Sequence, residues 1–161
     1  MSMRIQGRGI HPGVVEGEAL VLDDCLGGYG AFDVRTGEIV EASSQKGQSV
    51  ADKVLFFRRA KGSSSWSIWH QALKFTGKAP RAYVAQESNT QVALGAVVLR
   101  IPAVELRREL AGAVATGDWV RVNGNEGTVE VLRRAHAHVS PSTGLGVAST
   151  NPDHTSVPFE R

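Results

Sequence analysis

The sequence predicts an α/β domain dominated by β-strands, and three observations carry that reading. Residues 54 to 85 run as strand, glycine turn, helix and strand, which is a β-α-β unit. Residues 118 to 132, DWVRVNGNEGTVEVL, read as a hairpin whose strands are joined by the turn-favouring Asn123-Gly124-Asn125. Eighteen glycines in 161 residues supply turns between short β-prone runs.

The elements follow in order. MRIQGRGI and GVVEGEALVL are β-prone runs separated by His11-Pro12-Gly13, and the second partly alternates apolar and polar residues. DDCLGGYGAFD reads as a glycine-rich loop, Thr36-Gly37 as a turn, EIVEA as a short strand and SSQKGQS as a polar loop. Val54 to Phe57 are four apolar residues in succession and make the best central strand. Ser63 or Ser64 is a good N-cap for the helix that follows. Trp66, Trp69 and Leu73 share one face of it, and Gly77 and Pro80 end it. RAYVA is the next strand. TQVALGAVVLRIPAV reads as a short helix feeding a strand, although its periodicity does not settle the matter. ELRRELAGAVATGD is a short helix or a loop. The domain is expected over residues 1–134, and the Ser-, Thr-, Gly- and Pro-rich residues 135–161 as an extended or disordered tail.

Composition bounds the function. The chain is 42% hydrophobic and 21% charged, enough to bury one core of ordinary domain size. Eighteen basic residues against sixteen acidic ones leave no basic stripe, and Arg107-Arg108 and Arg133-Arg134 stand isolated, so no nucleic-acid partner is expected. No apolar run reaches the roughly 18 residues of a membrane helix, and MSMRIQGRG lacks a signal-peptide core; a cytoplasmic location is the default expectation. A single cysteine, Cys25, excludes an internal disulfide and a self-contained cysteine cluster. His136 and His138 share a face only if their segment is a strand, and a third ligand is lacking at useful spacing; no metal ligand is assigned in this chain. His70 reads as a surface or partly buried histidine, and His11 as a residue able to reach a neighbouring site.

The chemistry concentrates in AKGSSSWSIWHQAL. A glycine turn entering a helix points several backbone N–H groups at one spot, where the helix dipole adds positive charge. Gly62 allows close backbone approach, Ser63, Ser64 and Ser65 add hydroxyl donors, and Lys61 can supply a full charge. The spot suits a carboxylate or phosphate. The spacing matches neither a Walker A loop nor a dinucleotide fingerprint, and no Gly-x-Ser-x-Gly elbow is present. Ser63 as a plain helix cap, as an anion ligand, or as a base stabilised by backbone donors are all compatible with these residues.

Five stretches in order resemble the small subunit of the aconitase X family: GRGIHPGVVEGEALVL, GGYGAFDVRTGEIV, KVLFFRRAKGSSSWS, APRAYVAQESNTQVALGAVVLRIPAV and GDWVRVNGNEGTVEVL. The likeness spans roughly residues 4 to 132. It implies a β-rich swivelling β/β/α domain of the aconitase type, packed on a separate large subunit whose cysteines hold an iron–sulfur cluster. It implies a hydro-lyase that dehydrates a hydroxy acid between the two subunits. The serine directly after the glycine, Ser63, is then the proton-abstracting base. Gly62, Ser64, Ser65 and Lys61 are the substrate-binding candidates, and an iron of the partner is the Lewis acid on the leaving hydroxyl. Aconitase itself carries an arginine where Ser65 stands, so tricarboxylate recognition is not expected. Within the family, the SSWSIWHQALKF helix and the tail beyond residue 132 favour cis-3-hydroxy-L-proline over phosphomevalonate as substrate. A non-catalytic anion-binding module is the reading from a different class.

Overall fold

A computed structural model describes residues 3–107 and 113–135. The elements are β1 (Met3–Gln6), β2 (Arg8–His11), β3 (Val14–Val21), β4 (Phe32–Asp33), β5 (Glu38–Ile39), β6 (Val54–Phe57), α1 (Trp66–Phe75), β7 (Ala82–Ala85), α2 (Thr90–Leu99), β8 (Ala103–Glu105), β9 (Trp119–Asn123) and β10 (Thr128–Arg133). Apart from the β4–β5 ribbon, the strands form one sheet in the order β1-β10-β9-β3-β6-β7-β8-β2. Strands β3, β6, β7 and β8 run parallel, and the others pair antiparallel.

The two ends of that order are consecutive in the chain. Only Gly7 separates β1 from β2, so the sheet curls until its edges meet in one bent segment. The bend requires glycine: a Cβ on Gly7 would lie 2.3 Å from the Glu105 carbonyl oxygen, and one on Gly9 would lie 2.1 Å from that of Gly124. Strand β3 joins the two halves, pairing with β9 along Val14–Glu18 and with β6 along Ala19–Val21.

The pleat then sorts the side chains into two cores. Val54, Phe56, Ala82, Val84 and Val104 face inside the curl with Val120, Val122 and Val129. Leu55, Phe57, Tyr83 and Ala85 face outward against α1, α2 and the 22–32 loop. Every residue of β6, β7 and β8 is buried, which is why they read as continuous apolar runs rather than alternating ones.

The mixed α/β architecture and the expected strands agree with the sequence, and three details of α1 differ. Helix α1 is entered from Ser65, not from Ser63 or Ser64, and no side chain caps it. Its buried face is Trp66, His70 and Leu73, whereas Trp69 is half-buried against Tyr29. His70 is therefore not a surface residue: the 26–32 loop folds over α1 and covers it completely. Helix α2 is apolar all round, burying Val92, Gly95, Ala96 and Leu99 while exposing Leu94 and Val97, so its periodicity gave no clear signal. The expected tail and the His136–His138 pair lie outside the described residues, apart from Ala135. Among the described residues no helix is long and apolar enough to cross a membrane.

Candidate active site

The serine turn lies at the carboxyl end of β6. The carboxyl ends of the parallel strands β6, β7 and β8 all face that edge. Adjacent to it, the chain leaves β7 at Ser88-Asn89 and enters α2, and β8 ends at Glu105. Asn89 links the first two. Its Oδ1 accepts from the Val92 amide as the α2 N-cap, and its Nδ2 donates to the Ala60 carbonyl at 2.9 Å.

Within the turn, Ser63 Oγ accepts a hydrogen bond from the Ser65 amide at 3.3 Å and lies 3.1 Å from Ser65 Oγ. The carbonyl of Ser63 accepts from the Trp66 amide. This local turn is what displaces Ser63 from the cap position: its oxygen is engaged one residue before the helix. The amides of Gly62, Ser63 and Ser64 make no hydrogen bond to another described residue. Gly62 has no left-handed φ, and a Cβ there would meet nothing within 4 Å. Packing within the chain thus gives no reason for a glycine at position 62.

The turn is tied to the elements beneath it. Trp66 Nε1 donates to the Leu26 carbonyl at 2.9 Å, and the Lys61 amide donates to the same oxygen. A Cβ on Gly28 would lie 2.7 Å from Trp66 Cα, so the loop presses its backbone onto the first residue of α1. From the other side, Gly95 admits the Trp66 ring, which a Cβ would meet at 2.5 Å. Lys61 is not a free charge: its ammonium pairs with Glu41 Oε2 at 2.6 Å, and Glu41 Oε1 accepts from the Gly27 amide.

The structure brings Gly62, Ser63, Ser64 and Ser65 together and leaves Ser64 exposed. It separates His11 from them. His11 pairs with Ala103 at the start of β8 and bonds the Ile101 carbonyl, at the opposite end of the parallel strands. Sequence reasoning missed Glu105 and its ring of donors. Burial pushes the Glu105 carboxyl up, but the Ser88 amide, Arg8, the Ser88 hydroxyl and Arg107 together hold it down at about 2. The available signal was Glu105-x-Arg107, which puts both on one face of a strand. Nothing local pointed to Arg8.

This chain does not fit an iron–sulfur cluster. Cys25 is its single cysteine, and no group of three or more His, Cys, Asp or Glu among the described residues is placed to hold a metal ion.

Comparison with known proteins places this geometry in a family. Residues 4–131 match the model of the aconitase X swivel domain. The chain is 42% identical over 131 residues to the phosphomevalonate dehydratase small subunit of Thermococcus gammatolerans, covering 81% of this chain and 98% of that one. It is 40% identical over 131 residues to the protein of the same name from Archaeoglobus fulgidus, covering 81% and 99%. The crystal structure of the holo-form of Thermococcus kodakaraensis aconitase X superposes with a TM-score of 0.76 at 39% identity, over 81% of this chain and 99% of that one. With a swivel-domain match over residues 4–131, relatives at about 40% identity over nearly their whole length and a solved structure that superposes at a TM-score of 0.76, the chain belongs to the aconitase X family.

Proposed function

We propose that this chain is the small subunit of a hydro-lyase that removes water from phosphomevalonate in an active site shared with a large subunit. The observation that carries the reading is Ser63. Its Oγ receives the Ser65 amide at the entrance to α1, beside three amides without a partner among the described residues. An oxygen so placed is stabilised as an alkoxide, because fixed donors and the helix dipole meet the charge as it forms. Ser63 then takes the proton from the carbon alpha to the substrate carboxylate; the C–H electron pair forms the C=C bond, and the C–O bond of the neighbouring carbon breaks, its hydroxyl leaving toward the large subunit, where a Lewis acid would receive it. The amides of Gly62 to Ser64 and the hydroxyl of Ser64 hold the developing negative charge, while Lys61 and Glu41 keep the turn in place.

Two features support a partner. The turn is open to solvent on the side that Gly62 leaves vacant, and exposed apolar side chains flank it: Ile68 is 63% exposed and Tyr29 76%. The iron–sulfur cluster belongs, on this proposal, to the large subunit.

The relatives bear on the substrate. Those at about 40% identity over nearly their whole length carry the phosphomevalonate name, and they span the α1 region that had favoured cis-3-hydroxy-L-proline. We therefore prefer phosphomevalonate. The test is to co-express both subunits, reconstitute the cluster without oxygen and follow both substrates. Turnover of phosphomevalonate, lost in Ser63→Ala with the complex intact, is the expected result. Turnover of cis-3-hydroxy-L-proline alone reverses the substrate; no complex and no turnover of either leaves an anion-binding module.

A further inference from the structure

The proton step makes no use of the arginines at the far end of the same edge. Glu105 closes β8 with its side chain 5% exposed and accepts four hydrogen bonds. The Ser88 amide and hydroxyl reach Oε1 at 3.0 and 3.1 Å. Arg8 and Arg107 both reach Oε2, each through Nε, at 2.9 and 3.1 Å. Each guanidinium is thus anchored to the carboxylate by Nε. Arg8 Nη2 donates to Ser88 Oγ at 3.0 Å; Arg8 Nη1 and both terminal nitrogens of Arg107 have no partner among the described residues.

Two like charges converging on one oxygen repel each other, and one carboxylate neutralises only one of them. Between them opens a cleft of about 360 Å³, lined by Gln6, Gly7, Arg8, Glu105 and Arg107, whose side chains carry a net charge of +1. A neighbouring cleft of about 510 Å³ shares Glu105 and Arg107 but adds the exposed carboxylate of Glu87, which disfavours an anion there. The Arg8 side is the better seat. It is also connected to the serine turn. Arg8 bonds Ser88, the next residue Asn89 bonds the Ala60 carbonyl, and Ala60 stands three residues before Ser63. Two strand spacings, about 10 Å, separate β6 from β8. An arginine side chain and a short phosphorylated chain together span that distance.

We propose that Arg8 and Arg107, held in register by Glu105 and Ser88, bind the phosphate of the substrate while Ser63 acts at its other end. This rests on the reading of the chain as part of a dehydratase for a phosphorylated hydroxy acid. Paired guanidinium groups give forked donors that match phosphate oxygens, so removing one weakens binding more than it slows chemistry.

The test uses the assembled two-subunit enzyme. In Arg107→Gln, the KM for phosphomevalonate rises about tenfold or more with kcat little changed, and the calorimetric Kd for inorganic phosphate weakens in parallel. Arg107→Lys recovers part of both, and Arg4→Gln, which breaks a surface pair with Glu126, changes neither. Unchanged KM and Kd in Arg107→Gln, with wild-type turnover of phosphomevalonate intact, overturns the subsite and leaves the activity standing. If the wild type fails to turn over phosphomevalonate, the substrate reading fails, and the site is judged on calorimetry alone. Phosphate binding weakened tenfold by Arg107→Gln then upholds the site; equal binding overturns it.

Discussion

His70 accepts a hydrogen bond from the Tyr83 hydroxyl, and the direction of that bond is fixed by a third group. Nε2 of His70 lies 3.0 Å from the Gly27 carbonyl, which can only accept, so Nε2 carries the proton and Nδ1 is left as the acceptor. The imidazole also stacks on Trp66 with centroids 3.6 Å apart. A neutral ring thus ties α1, β7 and the glycine-rich loop together beneath the serine turn. Burial lowers the His70 pKa to about 4 and raises that of Tyr83.

Acid therefore weakens the fold at a defined place. Between pH 6.5 and about 4 the unfolded chain binds a proton at His70 that the folded chain excludes. Stability falls as pH drops through that window and is fully present above it. The loss amounts to about 3 kcal/mol by pH 4. Urea titrations at pH 7 and pH 5 measure it. Tyr83→Phe leaves Nδ1 without a donor and costs about 1–3 kcal/mol at pH 7.

Glu105 sets a second, lower window. Its pKa is held down at about 2, so the stability it contributes is present above pH 4.5 and is lost as pH falls through 2. Glu105→Gln loses the charged partner of both arginines and destabilises the fold by about 2 kcal/mol at pH 7. Its acid unfolding curve is shallower than wild type between pH 4.5 and 2. A parallel curve in that range counts against a charged, structural Glu105.

Ser63→Ala separates chemistry from folding. Among the described residues, both hydrogen bonds of Ser63 Oγ go to Ser65, two residues away, and the cap of α1 does not depend on it. Loss of stability stays within about 1 kcal/mol, while turnover of the assembled enzyme falls by about a thousandfold. If turnover survives, the base is elsewhere.

What was legible in the sequence was what local pattern encodes. Val54–Phe57 and the 119–133 hairpin were found because an apolar run and a turn sequence suffice to specify them. The closing of the sheet was not, because it depends on β1 and β2 pairing with strands about a hundred residues away. The serine turn was found by composition, yet its cap was misplaced because Ser63 bonds locally to Ser65. His70 was misread for want of any sign that the 26–32 loop would cover it. Arg8 and Glu105 stand 97 residues apart, and only the fold brings them to one edge.

The two glycines nearest the turn make opposite predictions. A Cβ on Gly28 lies 2.7 Å from the Trp66 Cα, and backbone on both sides leaves little room to yield. Gly28→Ala destabilises the fold by about 1–3 kcal/mol and pushes α1 away from the loop. A Cβ on Gly62 meets nothing within 4 Å, and its backbone is one that alanine adopts. Gly62→Ala therefore leaves the unfolding free energy of the chain, read from urea titration, within about 0.5 kcal/mol of wild type. Its methyl group nevertheless stands where a substrate would meet the amides of the turn, and turnover of the assembled enzyme falls at least tenfold. A Gly62→Ala enzyme with full activity would mean that the open side of the turn faces solvent and not the substrate, and Ser63 would return to being part of a helix entrance.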